Sequence, residues 1–247
     1  MKRIILQVAM CLSPLFATAQ SNGTGANLSV GIEKKLDSRW SIGASAEFRS
    51  RNTFKTADRW LADLSADYKI CTWLKAYATY AFIYDHRRDN TSYNADNSPN
   101  NYRPSYWTPK HRFNLALTAS KSFGRFKLSL RERWMYTYRP AKETKRYDYD
   151  NGYWEMKEVK SKSENVLRSR LQGEYNIPKS KITPYASVEA FTAKKLLEET
   201  RFTAGAELKI KKKHVFSAFY RYCLVNKSAD PDGFDKQLVG LEYKFKF

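Results

Sequence analysis

The sequence predicts an all-β fold: an antiparallel transmembrane β-barrel of about 10–12 strands after a cleaved signal peptide. Three observations predict it. Apolar and polar side chains alternate with period two from residue 26 to the last residue, as they do in a strand whose two faces meet different surroundings. The connections between alternating segments are short and long in turn, and outer-membrane barrels have short periplasmic turns and longer outer loops. The chain ends Leu241-Glu242-Tyr243-Lys244-Phe245-Lys246-Phe247. This aromatic–polar alternation closing on Phe resembles the closing-strand signal of outer-membrane barrels, so Tyr243, Phe245 and Phe247 are expected to form the membrane-insertion signal. As an ordinary edge strand it would leave a long apolar edge unpaired, which native soluble proteins avoid.

The N-terminus reads as an export signal. Met1-Lys2-Arg3 is basic, residues 4–16 are apolar but too few to span a bilayer, and Ala17-Thr18-Ala19 is a small-x-small cleavage site. The expected division is a signal peptide at 1–19 and a barrel domain at 20–247, with Gln20 as the mature start. Met10 precedes Cys11 where a lipoprotein signal needs a small residue, which argues against a lipid anchor. Cys71 and Cys223 remain, too few for a disulfide framework.

Eleven segments then alternate. Their apolar faces begin with Leu28, Val30 and Ile32, followed by Trp40, Ile42, Ala44, Ala46 and Phe48. The third carries Trp60, Ala62, Leu64, Ala66 and Tyr68, and the fourth Ala76, Ala78, Tyr80, Phe82 and Tyr84. Phe113, Leu115 and Leu117 mark the fifth, and Phe126, Leu128, Leu130, Trp134, Tyr136 and Tyr138 the sixth. Leu167, Leu171 and Tyr175 mark the seventh, and Ala186, Val188 and Ala190 the eighth. The ninth carries Phe202, Ala204, Ala206 and Leu208, the tenth Phe216, Ala218, Tyr220 and Tyr222, and the last Val239, Leu241, Tyr243, Phe245 and Phe247. Segments of this kind suit tilted strands of about 9–11 residues. Short turns are expected near residues 37, 71, 123, 178–181 and 211–213, and long loops at 50–58, 86–110, 139–163, 192–200 and 226–235. Aromatics gather near both ends of the segments, as interfacial girdles do. Two features sit badly. Eleven is odd, whereas bacterial single-chain barrels usually have even counts. Glu132 falls on the lipid face unless a bulge near Arg131 turns it inward.

Mean hydropathy is −0.67, which excludes membrane helices but not a barrel with a polar interior. Lys and Arg number 44 against 25 Asp and Glu, a net charge of +19. In an exported chain that excess points away from nucleic acid and toward lipopolysaccharide phosphates and anionic solutes.

At residues 109–140 the text resembles a known family. Pro109-Lys110-His111-Arg112-Phe113, the run from 121 to 133, and Tyr136-Thr137-Tyr138-Arg139-Pro140 are similar to domain-of-unknown-function family 2490, predicted outer-membrane barrels common in Bacteroides-type gut anaerobes. Leu167 to Leu171, then Pro184-Tyr185 to Glu189 and a following Phe, resemble it too. The resemblance implies an exported barrel in the bacterial outer membrane, and no activity.

Strand parity points Arg131, Arg133, Arg168, Arg170 and Arg221 into the lumen, with Glu174, Glu189, Glu207 and Glu242. Two readings compete: a narrow lumen filled by Arg/Glu pairs in a structural or permeability barrel, or a basic lining selective for anionic solutes. A third, a lipid-modifying enzyme, lacks support because none of His86, His111 and His214 has Ser at the spacing of such barrels. No catalytic residue, metal site or cofactor is expected. The long loops offer a second candidate site in Tyr102, Arg103, Tyr106, Trp107 and Trp154, with Tyr147, Tyr149 and Tyr153 around a predicted hairpin turn at Asp150-Asn151-Gly152. The expected partners are outer-membrane lipid and lipopolysaccharide, the barrel-insertion machinery and anionic solutes.

Overall fold

The computed structural model describes residues 24–247 apart from 195, 212 and 227–234. The signal peptide expected at 1–19, residues 20–23 of the barrel domain and most of the 226–235 loop lie outside the described residues. The strands are β1 (Thr24–Lys35), β2 (Trp40–Arg51), β3 (Thr56–Lys69), β4 (Leu74–Arg87), β5 (Asn90–Tyr93), β6 (Pro99–Arg103), β7 (Tyr106–Phe123), β8 (Phe126–Arg139), β9 (Lys142–Asp148), β10 (Tyr153–Val159), β11 (Lys162–Tyr175), β12 (Ile182–Ala193), β13 (Leu196–Ile210), β14 (His214–Val225) and β15 (Lys236–Lys246). Eleven of these described strands close a barrel in the order β1-β15-β14-β13-β12-β11-β8-β7-β4-β3-β2. The two-faced pattern reproduces the sequence alternation. On β4 the inward Ala81, Ile83 and Asp85 are buried, while Tyr80, Phe82 and Tyr84 are exposed on the outer wall.

The odd count stands, and the closure explains how. Ten successive neighbours pair antiparallel, so the eleventh strand runs in the same direction as the first. β1 and β15 therefore close the wall as a parallel pair, in register from Thr24↔Gln237 to Glu33↔Lys246. Parallel ladders are slightly weaker per residue, and main-chain bonds at the rim reinforce this seam. Phe247 N donates to Glu33 O at 2.9 Å, and Lys35 N donates to Phe247 O at 3.0 Å.

Short turns occupy one end, at residues 36–39, 70–73, 124–125 and 176–181, and β13 and β14 are joined there with Lys213 N donating to Ile210 O at 3.2 Å. In the first, one Asp37 carboxylate oxygen accepts from Arg39 N at 2.6 Å and Trp40 N at 2.7 Å. Asp fits such a turn because its side chain replaces the missing backbone acceptor. The opposite end differs from the sequence expectation of open loops. The 86–110 and 139–163 segments are hairpins, β5–β6 and β9–β10, which join in a four-stranded sheet ordered β10-β9-β6-β5. Their contact is narrow, made by Asn101↔Asp148 and Tyr102↔Tyr147. Pairing gives partners to backbone groups that long open loops would leave to water. The expected loops at 50–58 and 192–200 are shortened, the first to a tight turn at 52–55 and the second by β12 running to Ala193 and β13 starting at Leu196, because the strands extend farther than alternation indicated. Bulges at Arg49/Ser50 and Phe191/Thr192 absorb the register change.

Glu132 keeps the outward position its strand parity gives it, and no bulge turns it inward: the registers of β8 with β7 and β11 run through it unbroken. It stays on the outer wall, where Ser169 Oγ donates to its Oε2 at 2.6 Å.

The β9–β10 turn forms at the predicted Asp150-Asn151-Gly152, with Gly152 in the left-handed region at φ 71°. Asp148 caps it, accepting from Asp150 N at 3.0 Å and from Asn151 N and Nδ2 at 3.1 Å each. The Asn151 side-chain amide and backbone N–H hold this carboxyl below its usual range. A depressed folded-state value means the contribution is complete above the unfolded value and disappears as pH falls through the folded one. Asp148→Ala is therefore expected to open this hairpin to limited proteolysis at neutral pH, and the natural protein to show the same cleavage only in acid. Equal cleavage of both proteins at neutral pH would refute the cap.

Candidate functional site

The lumen holds two cavities. One, of about 730 Å³, opens toward the hairpin end, and the other, of about 640 Å³, toward the short turns. Glu47, Asp63, Tyr77 and Arg168 line both, so the cavities meet at their level. The two halves differ in charge. The hairpin-end cavity is lined by twelve Lys and Arg against seven Asp and Glu, and the other by seven against eight. The cationic excess of the lumen therefore lies in the hairpin-end half, beyond the waist at which the two cavities meet.

The waist is built by β8, β11 and β12. Register sets Arg133 opposite Arg168 and Arg131 opposite Arg170, one pair after the other. On the next strand Glu189 stands opposite Arg170. Glu189 is 3% exposed. Both of its oxygens accept from Arg168 Nη2 at 2.7 Å. Its Oε1 lies 3.7 Å from Arg131 Nη2 and 4.0 Å from Arg170 Nε. Aromatic rings fix two of the guanidiniums. Arg133 lies over Tyr77 at 5.4 Å, and Phe191 is held between Arg168 at 5.0 Å and Arg201 at 4.1 Å. Phe191 is itself packed with Met135, Val166 and Ala193, an inward apolar cluster that steadies the cation–π stack.

The remaining predicted lumen residues face inward but are not drawn into this cluster. Glu174 pairs with Lys127 at 3.1 Å, and Glu207 with Lys209 at 2.7 Å. Arg221 Nε donates to Thr203 Oγ1 at 3.1 Å, and its guanidinium covers Phe219 at 4.6 Å. Glu242 lines the short-turn cavity, and among the described residues no cation comes within 4.0 Å of its carboxylate. Among these nine predicted lumen residues, arginine–glutamate pairing is thus confined to Glu189.

Sequence reading did not single out the hairpin-end network. Asp85 accepts from Arg59 Nε at 2.5 Å and from Lys110 Nζ. Arg51 pairs with Asp58 at 3.0 Å, Arg49 with Glu47 at 2.7 Å, and Arg201 with Glu199. Lys110 lies in the expected 86–110 loop, yet it continues the inward parity of Arg112 on β7, one step beyond the alternation that marks the strand.

The structure splits the loop candidates. Tyr102 and Trp154 meet on the four-stranded sheet at 6.3 Å, with Tyr147 5.2 Å from Trp154. Arg103 stands on β6 opposite Asn90. Tyr106 and Trp107 belong instead to β7 of the barrel wall, where Trp107 stacks on Tyr84 at 5.1 Å and His86 at 4.8 Å. At the opposite rim, Tyr243 packs against Phe216 at 4.9 Å and Phe245 against Phe247 at 5.6 Å, on the outside of the closing strand.

The sequence profile of the DUF2490 family, described as a protein of unknown function, matches residues 24–234. The chain belongs to the DUF2490 family. No curated protein matches the sequence of this DUF2490 barrel. Among solved structures it is similar to the β domain of the Bordetella autotransporter BrkA, at 14% identity and a TM-score of 0.52, covering 83% of this chain and 79% of that one. It is also similar to the CymD monoaromatic hydrocarbon channel, at 10% identity and a TM-score of 0.42 over 79% of this chain and 67% of that one. A porin overlaps at 12% identity and a TM-score of 0.33 over 76% and 53% of the two chains. The first likeness shows that the DUF2490 chain has the fold of an outer-membrane β-barrel; the other two overlaps are too partial to add to it.

Proposed function

We propose that this DUF2490 barrel sits in the bacterial outer membrane with its short turns in the periplasm, and serves there as a narrow passage for small anionic solutes. The waist carries this reading: Arg131, Arg168 and Arg170 share the Glu189 carboxylate, with Arg133 beside Arg168, at the level where the two cavities meet. Clustered like charge lining a narrow lumen biases the sign of the permeant ion, and the cationic excess toward the hairpin end would draw anions to that mouth. Lipid and lipopolysaccharide surround the wall, and the barrel-insertion machinery is the partner expected to recognise Tyr243, Phe245 and Phe247. No catalytic role is proposed: among the described residues each histidine is engaged by a tyrosine or a backbone carbonyl, not by a serine or cysteine. His111 bonds Tyr80 Oη at 2.8 Å, His214 bonds Tyr243 Oη at 2.9 Å, and His86 meets the Ala57 carbonyl at 3.0 Å.

Planar-bilayer recording under a potassium chloride gradient tests the passage. Small, steady conductance with a reversal potential of chloride sign is expected. A membrane that stays silent, or a potassium-selective current, would overturn it; silence would favour the alternative of a structural barrel whose lumen is closed by its ion pairs.

A further inference from the structure

We infer that the waist is a binding site for a phosphate-class dianion, an inference that deepens the reading of the lumen as an anion passage by naming the solute class. Arg133↔Arg168 and Arg131↔Arg170 are successive cross-strand pairs of like charge, an arrangement that destabilises a sheet. Glu189 offsets one charge of four. Its tight contact is with Arg168, and its distances to Arg131 and Arg170 are longer. Asp63 and Glu174 act on Arg133 and Arg170 from a distance without an ion pair to either, so the four arginines keep an excess of positive charge in a confined, partly dehydrated space. A spherical chloride offers this cluster one charge and no set of separate acceptor oxygens. A phosphate group carries about −1.5 to −2 at neutral pH and three acceptor oxygens.

The donor geometry agrees. The Nε atoms of Arg131, Arg133, Arg168 and Arg170 are all buried with no hydrogen-bond partner. Nε and an adjacent Nη form the edge of the guanidinium fork that grips two oxygens of a phosphate at once. Arg133 is held through its face by Tyr77, which leaves its edge available, whereas Arg168, stacked on Phe191, already commits its Nη2 to Glu189. The site is also reachable: Arg168 lines both cavities, Arg133 the hairpin-end one and Arg170 the short-turn one. A solute crossing the lumen has to pass these donors.

The test uses the purified, folded barrel in zwitterionic detergent at pH 7.5. Inorganic phosphate and chloride are titrated at matched ionic strength, by calorimetry and by the temperature at which folded gel mobility is lost. Phosphate is expected to bind saturably and raise that temperature by several degrees, with chloride inert. Arg131→Gln with Arg170→Gln removes two mutually repelling charges, so the variant is expected to keep its folded mobility and to lose phosphate affinity by tenfold or more. Should the double variant not fold, Arg170→Gln alone carries the comparison. Phenyl phosphate separates the sources: equal binding assigns the site to phosphate esters, and selective binding of inorganic phosphate assigns it to the free ion. Phosphate acting no differently from chloride, or binding unchanged in the variants, would overturn the site. The outcomes stay distinct from those of the passage: binding without current keeps the site and removes the pore, and current without phosphate preference does the reverse.

Discussion

Glu189→Ala is expected to cost the barrel about 3–5 kcal/mol, the range for removing one partner from a buried charge cluster. The carboxylate is 3% exposed and takes both oxygens to Arg168. Without it, two facing arginine pairs remain on β8 and β11 with no anion between them. The loss reflects uncompensated charge more than missing contacts, because alanine at this position still fits the strand. Urea unfolding followed by tryptophan fluorescence measures it. The origin is separable: in a background already carrying Arg131→Gln and Arg170→Gln, the same Glu189→Ala change should cost markedly less, since neighbouring groups in one network are not additive. A loss below about 1 kcal/mol in the natural background would mean that the waist is well solvated and that Glu189 does not hold it.

Gly240→Ala is the second large effect, and its cause is steric. Gly240 on β15 stands opposite Phe219 on β14, and the Phe219 ring lies across it. A Cβ at position 240 would fall within the Phe219 ring, so the ring has to leave. Phe219 is buried, and Arg221 lies over its ring at 4.6 Å. Expelling the ring therefore disturbs the lumen lining as well as the packing. Overpacking of this kind costs about 1–3 kcal/mol, and thermal loss of folded gel mobility should register it as an earlier transition. Phe219→Ala combined with Gly240→Ala should recover part of the loss. If the double variant is as unstable as the sum of the two single ones, the ring is not the obstacle.

The wall was legible because period two is a local property. Each strand announces itself by residues such as Phe113, Leu115 and Leu117 without reference to its neighbours, and the chain order then dictates the meander. What lay beyond was fixed by pairing between distant segments. Alternation could not show that Tyr102 would meet Tyr147, so two hairpins read as loops. It also could not show the direction of β1 relative to β15, which is a property of closure. In the lumen, parity placed all nine charged residues inward, but partner choice depends on register. Glu189 faces Arg170 across one strand pair, while Glu174 stands opposite Lys127 and pairs with it. Glu132 taught the reverse lesson: parity placed it on the outer wall, and the wish to avoid a carboxylate there suggested a bulge that the strand does not make.

The parallel seam also decides which way the polypeptide faces. In an even-numbered meander both chain ends emerge on the same side of the membrane. Here Thr24 starts β1 opposite Gln237, at the hairpin rim, while Phe247 ends beside Lys35 at the short-turn rim. If the short turns lie in the periplasm, as proposed, the carboxyl end of the wall faces the cell and its amino end faces the surroundings. The barrel is therefore vectorial. A peptide joined directly at Thr24 begins at the external face, one joined at Phe247 begins in the periplasm, and one extra strand would place both on the same side.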